Sequence, residues 1–146
     1  MSAFMQQALR IARQAEQAGE VPIGAVLVHN GAVIASAHNH TERDKDVTAH
    51  AEINVIREGG KTLNSRILPD CDLYVTLEPC PMCAQAISFA RIRRLYFGAY
   101  DSKGGGVDHG PRMFQQASCF HAPEVIGGML ESECGALLRD FFQARR

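Results

Sequence analysis

Four side chains that could bind or assist a metal stand in two short stretches of the chain. His50 and Glu52 are two residues apart, and Cys80 and Cys83 have two residues between them. Imidazole and thiolate are ligands that zinc prefers, and three protein ligands leave its fourth tetrahedral position open for water. The sequence therefore predicts a catalytic site with one Zn²⁺ per chain, bound by His50, Cys80 and Cys83.

Glu52 is predicted to be the catalytic proton carrier and not a zinc ligand. It follows His50 so closely that one helical turn could not conveniently bring both to a single ion. A carboxylate beside a zinc-activated water can instead accept its proton as a general base. The joint pattern His-x-Glu and Pro-Cys-x-x-Cys is the signature of zinc-dependent nucleobase deaminases.

Two other interpretations of the cysteine pair stay open at this point. A Cys-x-x-Cys segment alone is often a redox pair or half of a structural metal site, but a redox pair leaves His50 and Glu52 without a purpose. A closed structural site would need a fourth ligand from the Cys or His residues at 71, 119, 121 and 134, any of which could approach in space. We expect the three remaining cysteines to be buried small hydrophobic residues.

Both halves of the site fall where helices are predicted to begin. Thr48 is a candidate N-cap for a helix over residues 50–58, and Pro81 suits the first turn of a helix over residues 80–90. Thiolates are stabilised at a helix N-terminus, so this placement favours the ligating form of the cysteines.

The remaining periodicity predicts an α/β domain. An amphipathic helix covers residues about 3–18, and apolar runs at 23–28 and 32–37 flank Asn30-Gly31, which is typical of a hairpin with a type I′ turn. Short strands follow at residues 73–77 and 95–99. The pattern further predicts a last edge strand at residues 125–128 and a C-terminal helix that begins near Ser132. Alternation of helices and strands predicts a three-layer α/β/α fold with a mixed sheet of about five strands.

Composition limits the classes of protein. A chain of 146 residues with 46% hydrophobic residues suits a single domain over residues 1–146. A net charge of −1 excludes a generally basic nucleic-acid binder, so any RNA contact must come from a local patch. The absence of a long apolar run or an export signal predicts a cytoplasmic protein without a membrane partner.

Several longer segments resemble the bacterial tRNA-specific adenosine deaminases, the TadA family, and together they cover nearly the whole chain. The segments are Val21-Pro22-Ile23-Gly24-Ala25-Val26, Thr48-Ala49-His50-Ala51-Glu52, Tyr74-Val75-Thr76-Leu77-Glu78-Pro79-Cys80, Arg91-Ile92, Phe97-Gly98-Ala99 and residues 133–142. The resemblance implies a cytidine deaminase-like fold, a homodimer, and hydrolytic deamination of the wobble adenosine of an arginine tRNA anticodon to inosine by zinc-activated water. The implied partner is the tRNA anticodon stem-loop, and no DNA partner is expected.

The resemblance also implies two substrate-binding residues. Asn39 matches the position whose side chain contacts the purine, and Lys103 lies in a segment near the RNA. We expect His38 and His40 to lie on the surface, and the C-terminal Arg145 and Arg146 to extend the basic patch. Taken alone, the glycines at 104–106 indicate either a plain flexible surface turn or a loop that approaches phosphate.

Some positions depart from the family pattern. Val47 replaces a frequent proline, which concerns only a loop. Phe89 replaces a frequent polar residue and residues 104–110 are richer in glycine, and we expect these two departures to affect which flanking nucleotides are accepted. Two rival functions remain: a deaminase of free bases or nucleosides such as guanine or cytosine, and a zinc-stabilised RNA-binding module without activity. Glu52 argues against the second rival, because a structural site has no use for that carboxylate.

Overall fold

The fold is an arrangement of five helices around a five-stranded sheet, and the computed structural model describes residues 2–145. The helices are α1 (Ser2–Gln17), α2 (Thr41–Asp44), α3 (Ala51–Leu63), α4 (Pro81–Ala90) and α5 (Glu131–Gln143). The strands are β1 (Gly24–His29), β2 (Ala32–His38), β3 (Cys71–Leu77), β4 (Arg94–Ala99) and β5 (Glu124–Ile126). A 3₁₀ turn covers Met113–Gln115.

The sheet is mixed, with the strand order β2-β1-β3-β4-β5. β1 pairs antiparallel with both β2 and β3, so that Val26 lies opposite Ser36 on one side and Tyr74 on the other. β3, β4 and β5 are parallel neighbours, and β5 lies at the edge as predicted. The carboxyl ends of β3 and β4 therefore meet at one edge of the sheet, where the chain continues toward Cys80 and residues 101–110.

Side chains that alternate along the strands form two hydrophobic cores, one on each face of the sheet. Leu27, Val75 and Phe97 pack on the face covered by α3 and α4. Val26 and Tyr74 pack on the face covered by α1 and α5. Helices on both faces of a mixed five-stranded sheet confirm the predicted three-layer α/β/α fold.

The first helix and the hairpin lie where the sequence placed them. Asn30 and Gly31 both have positive φ, 52° and 78°, as a type I′ turn requires at its two central residues. Asparagine and glycine are the residues that adopt this conformation most readily, which explains why the dipeptide fixes the turn.

The sequence-based description was wrong about the end of α3 and missed two short elements. α3 continues to Leu63, well past residue 58, and is capped by Asn64 in the left-handed conformation. Gly59 allows the helix to lie close to the Leu27 side chain, which a Cβ atom on residue 59 would overlap. Neither the short helix α2 nor the 3₁₀ turn was predicted. Among residues 2–145, the helices are all too short or too polar to cross a membrane.

Candidate active site and metal centre

The N-termini of α3 and α4 bring the candidate ligands together. His50 and Cys80 are the N-cap residues of these helices, both in extended backbone conformation, and Pro81 opens α4 as predicted. The predicted capping role of Thr48 was wrong. Its hydroxyl donates instead to Asp46 Oδ1 at 2.7 Å, because the helix begins two residues further on.

The three candidate ligand atoms have the spacing of a zinc site. His50 Nδ1 lies 3.7 Å from Cys80 Sγ and 3.5 Å from Cys83 Sγ, and all three atoms lie within 4.8 Å of one another. Tetrahedral zinc bonds of about 2.0 Å to nitrogen and about 2.3 Å to sulfur place such atoms about 3.5 Å apart. The group therefore fits a single zinc ion with one coordination position left for water.

Hydrogen bonds within the ligand group shift the pKa values of the two thiols in opposite directions. Hydrogen bonds from Cys83 and His50 lower the pKa of Cys80 to about 4. The hydrogen bond to Cys80, together with burial, raises the pKa of Cys83, and the hydrogen bond to Cys80 also raises the pKa of His50. Zinc takes two thiolates and a neutral imidazole, so its binding releases the remaining protons.

Glu52 lies in the first turn of α3 and is 4% exposed. Burial raises the pKa of its carboxyl to about 7, and the side chain is hydrogen-bonded to Cys83. A carboxyl with such a pKa can exchange protons near neutral pH, and a nearby dication would favour its ionised form. Among the described residues Glu52 does not belong to the ligand group, and its role as proton carrier stays a prediction.

The other cysteines do not complete a closed metal site within residues 2–145. Cys71 and Cys134 are buried, and burial raises their thiol pKa values to about 11 and about 12, as expected of inert core residues. Cys119 was predicted to be buried but is only half-buried. It lies in an irregular segment before β5, where its Sγ donates to the carbonyl oxygen of His121 at 3.0 Å.

Asn39 lies just after β2 and is 5% exposed. Within the described part of the chain, its Oδ1 has no hydrogen-bond partner. Asn54, which the sequence analysis missed, fixes the neighbouring backbone: its Nδ2 donates to the carbonyls of His38 at 3.0 Å and Ala49 at 3.3 Å. The end of β2 is therefore tied to the residue that precedes His50.

The glycine segment is only in part the surface turn considered from sequence, because Gly104 is exposed whereas Gly105, Gly106 and Val107 are buried. The Gly106 N–H donates to the carbonyl of Pro79 at 2.8 Å. A Cβ atom on Gly106 would lie 2.6 Å from the backbone nitrogen of Pro81, which rigid backbone could not accommodate. Only glycine lets the loop pass this close to the cysteine segment.

Glu78, at the end of β3, is a further residue that sequence reasoning missed, and it is 2% exposed. Burial opposes its ionisation, but hydrogen bonds from the Asp101 backbone and the His109 ring outweigh that effect and lower its pKa. The resemblance to the deaminase family includes this residue, yet its partners lie 23 to 31 positions further along the chain. No local pattern could have connected them.

The remaining predicted contact residues lie nearer the surface. Lys103 is exposed, and its backbone N–H donates to Asp101 Oδ1 at 3.1 Å. The Arg145 guanidinium lies 3.5 Å from the centre of the Phe141 ring, and Arg146 lies outside the described residues.

The structure also places the two histidines that flank Asn39 and the exposed aromatic residue of α4. His38 and His40, expected at the surface, are half-buried, and their rings pack edge to face with centres 4.5 Å apart. Phe89 on α4 is 67% exposed and lies beside Phe120 at the same surface recess.

A three-ligand group that fits zinc, at the N-termini of two helices in a fold with a mixed sheet, is characteristic of the class of zinc-dependent deaminases. Residues 1–99 match the cytidine and deoxycytidylate deaminase zinc-binding region. A tRNA-specific adenosine deaminase of Agrobacterium fabrum is 59% identical over 98% of this chain and 94% of its own length. The chain therefore belongs to the tRNA-specific adenosine deaminase family.

Solved structures give the same fold. One comes from a study of A-to-I editing by tRNA:A34 deaminases at the wobble position of transfer RNA. It has a TM-score of 0.93 and 58% identity, covering 94% of this chain and 100% of that chain. A guanine deaminase from Nitrosomonas europaea has a TM-score of 0.84 at 23% identity, covering 96% of this chain and 83% of its own. That second likeness extends to the fold alone, so the fold does not decide between RNA and a free base.

Proposed function

We propose that this chain deaminates adenosine to inosine at the wobble position of a tRNA anticodon, in an arginine tRNA. The observation that carries the proposal is 59% identity to a tRNA-specific adenosine deaminase over 98% of the chain, together with a ligand group that fits zinc. The net reaction consumes adenosine and water and yields inosine and ammonia.

The chain's own residues account for binding and proton transfer in this reaction. His50, Cys80 and Cys83 would hold zinc, which when bound would supply Lewis acidity toward a water molecule. Glu52 accepts a proton from the attacking water and delivers a proton to the purine ring nitrogen beside C6. It then assists departure of the amino group as ammonia. Burial of Glu52 beside Cys83 keeps its carboxyl next to the ligand group.

Asn39 is the proposed purine contact. A buried amide oxygen without a partner costs about 1–3 kcal/mol, and a ligand that supplies a donor removes this cost. A nucleobase edge offers such N–H groups. The hydrogen bonds of Asn54 hold the backbone beside Asn39 against the start of α3, so the purine would be fixed relative to His50 and Glu52.

An unpaired loop is the favoured form of the substrate. Taking a base out of a stacked and paired helix costs a few kcal/mol, whereas an anticodon loop already presents unpaired bases. The formal net charge of −1 provides no general attraction to RNA, so a local group of basic side chains must position the phosphate backbone of the RNA.

Lys103 is the proposed phosphate contact, and its replacement has a measurable signature. We expect Lys103→Ala to weaken binding of an anticodon stem-loop and to reduce the slope of log Kobs against log salt concentration by roughly 0.7, the value for one phosphate contact on a single strand. Lys61→Ala is the matched control, because Lys61 lies in the last turn of α3, at the opposite end from His50. Fluorescence anisotropy with an unchanged slope for Lys103→Ala would remove this residue from the interface.

Substrate choice is tested by comparing an anticodon stem-loop with free guanine, cytosine and adenosine under equal conditions. We expect the zinc-loaded protein to release ammonia from the stem-loop and to leave the free compounds unchanged. Ammonia release from free guanine or cytosine, with none from the stem-loop, would favour the rival function instead. Release from neither would favour an RNA-binding module without activity.

We further propose that the protein acts as a homodimer in the cytoplasm, where tRNA is decoded. Val47, Phe89 and Phe120 are 84%, 67% and 88% exposed, and apolar side chains this open to water are candidates for burial against a second subunit.

A further inference from the structure

Glu78 lies between the sheet and the zinc-binding cysteines. It follows the last residue of β3 and precedes Pro79 and Cys80. Its backbone N–H donates to the carbonyl of Ala99 at 2.8 Å, which joins it to the end of β4, and its side chain is fully buried. The backbone around Glu78 is thus fixed by the parallel pair of strands.

The Glu78 carboxylate accepts hydrogen bonds from both ends of one loop, residues 101–109. Oε1 accepts from the backbone N–H of Asp101 at 3.0 Å and from the His109 ring Nδ1 at 2.8 Å. Oε2 accepts from the backbone N–H groups of Val107, Asp108 and His109 at 3.2, 2.9 and 3.1 Å. One ionised group therefore closes the loop, in the way that a capping carboxylate satisfies free backbone donors.

The same loop contacts the cysteine segment and carries a proposed substrate residue. Gly106 bonds to the carbonyl of Pro79, and its carbonyl accepts from the backbone N–H of Met113 at 2.8 Å. Gly105 leaves no room for a side chain, because a Cβ atom there would overlap Glu78 Oε2. Lys103 stands on the exposed turn of the loop, two residues after Asp101.

We infer that Glu78 is a positioning residue that holds the loop of residues 101–109 in the conformation that binds the RNA substrate. The inference rests on the proposed function, because Lys103 matters only if the substrate has a phosphate backbone. Glu78 does not belong to the ligand group and acts through the loop. Its loss should therefore affect substrate binding more than the chemical step.

The test is Glu78→Gln, which keeps the shape of the side chain but replaces one acceptor oxygen with an amide nitrogen, which donates and cannot accept from N–H groups. Leaving buried donors unpaired costs about 1–3 kcal/mol, so we expect hydrogen exchange at the amides of Asp101 and residues 107–109 to become about tenfold faster or more. We expect KM for an anticodon stem-loop to rise about tenfold, with kcat changed by less than about threefold, and zinc content to stay at one per chain.

Asp72→Asn is the matched control. Asp72 is also a mostly buried carboxylate, but it lies at the other end of β3, where it accepts two hydrogen bonds from Arg93. Its replacement should leave exchange in the loop and KM unchanged. His109→Ala provides a milder variant that keeps the backbone hydrogen bonds, and we expect it to raise KM about threefold if Glu78→Gln does not fold.

Unchanged loop exchange in Glu78→Gln would overturn the inference, as would a loss of zinc or an equal fall in kcat and kcat/KM. In His109→Ala, an unchanged KM would overturn it. Hydrogen exchange is measured without RNA, so it decides whether Glu78 holds the loop even if the wild-type protein fails to deaminate the stem-loop. That second failure would overturn the proposed function separately.

Discussion

Glu52→Gln should retain zinc and bind the anticodon stem-loop normally, while turnover falls by about 10²- to 10⁴-fold, the usual loss when a general base is removed. Glutamine keeps the size of the side chain at a position that is 4% exposed, so the core around α3 should not change. It cannot accept the proton of the attacking water. The measurements are zinc content, stem-loop affinity and single-turnover deamination.

His50→Ala is the contrasting variant for Glu52→Gln. It removes an atom that faces both sulfurs, so zinc and activity should be lost together. The pair of variants separates proton carrier from ligand. Loss of zinc in Glu52→Gln, or near-normal turnover in that variant, would contradict the role given to Glu52.

Replacement of Cys80 by serine should abolish turnover through loss of the metal. A serine hydroxyl does not ionise at neutral pH, whereas hydrogen bonds from Cys83 and His50 lower the pKa of the Cys80 thiol to about 4. We expect zinc affinity to fall by more than the roughly 10- to 100-fold typical of losing an outer-shell partner, because a direct ligand is removed.

Cys119→Ser is the matched control for Cys80→Ser. Cys119 is also partly accessible, but its Sγ bonds to the carbonyl of His121 and lies outside the ligand group. Elemental analysis should find zinc close to one per chain in this variant. A full zinc complement in Cys80→Ser would contradict the ligand assignment, and loss of zinc in Cys119→Ser would show that the metal needs residues outside the group.

The features predictable from sequence are those encoded locally. Asn30-Gly31 fixes the hairpin because two consecutive positive φ angles select these residue types. The ligands His50, Cys80 and Cys83 could be grouped because their types and spacing are unusual. His50 stands at the start of one helix, and the two cysteines stand at the start of another. Alternating burial along the strands then determines the two faces of the sheet.

The features that sequence could not supply depend on contacts between distant segments. The hydrogen bonds of Glu78 to residues 101–109 could not be predicted from sequence, because every residue except proline has a backbone N–H group and no residue type marks the partners. Gly106 indicated freedom of the backbone, but only the fold reveals that the glycine is needed for close approach to Pro81. Thr48 satisfied the statistics of an N-cap, yet Asp46 competes for its hydroxyl.

Identification of the product at a single nucleotide tests the central claim most directly. The zinc-loaded protein would be incubated with an arginine tRNA anticodon stem-loop that has adenosine at the wobble position, and with a matched stem-loop that has guanosine there and adenosines elsewhere. Nucleoside mass spectrometry should find inosine in the first RNA and none in the second. Absence of inosine from the first, or equal amounts in both, would contradict wobble-specific adenosine deamination.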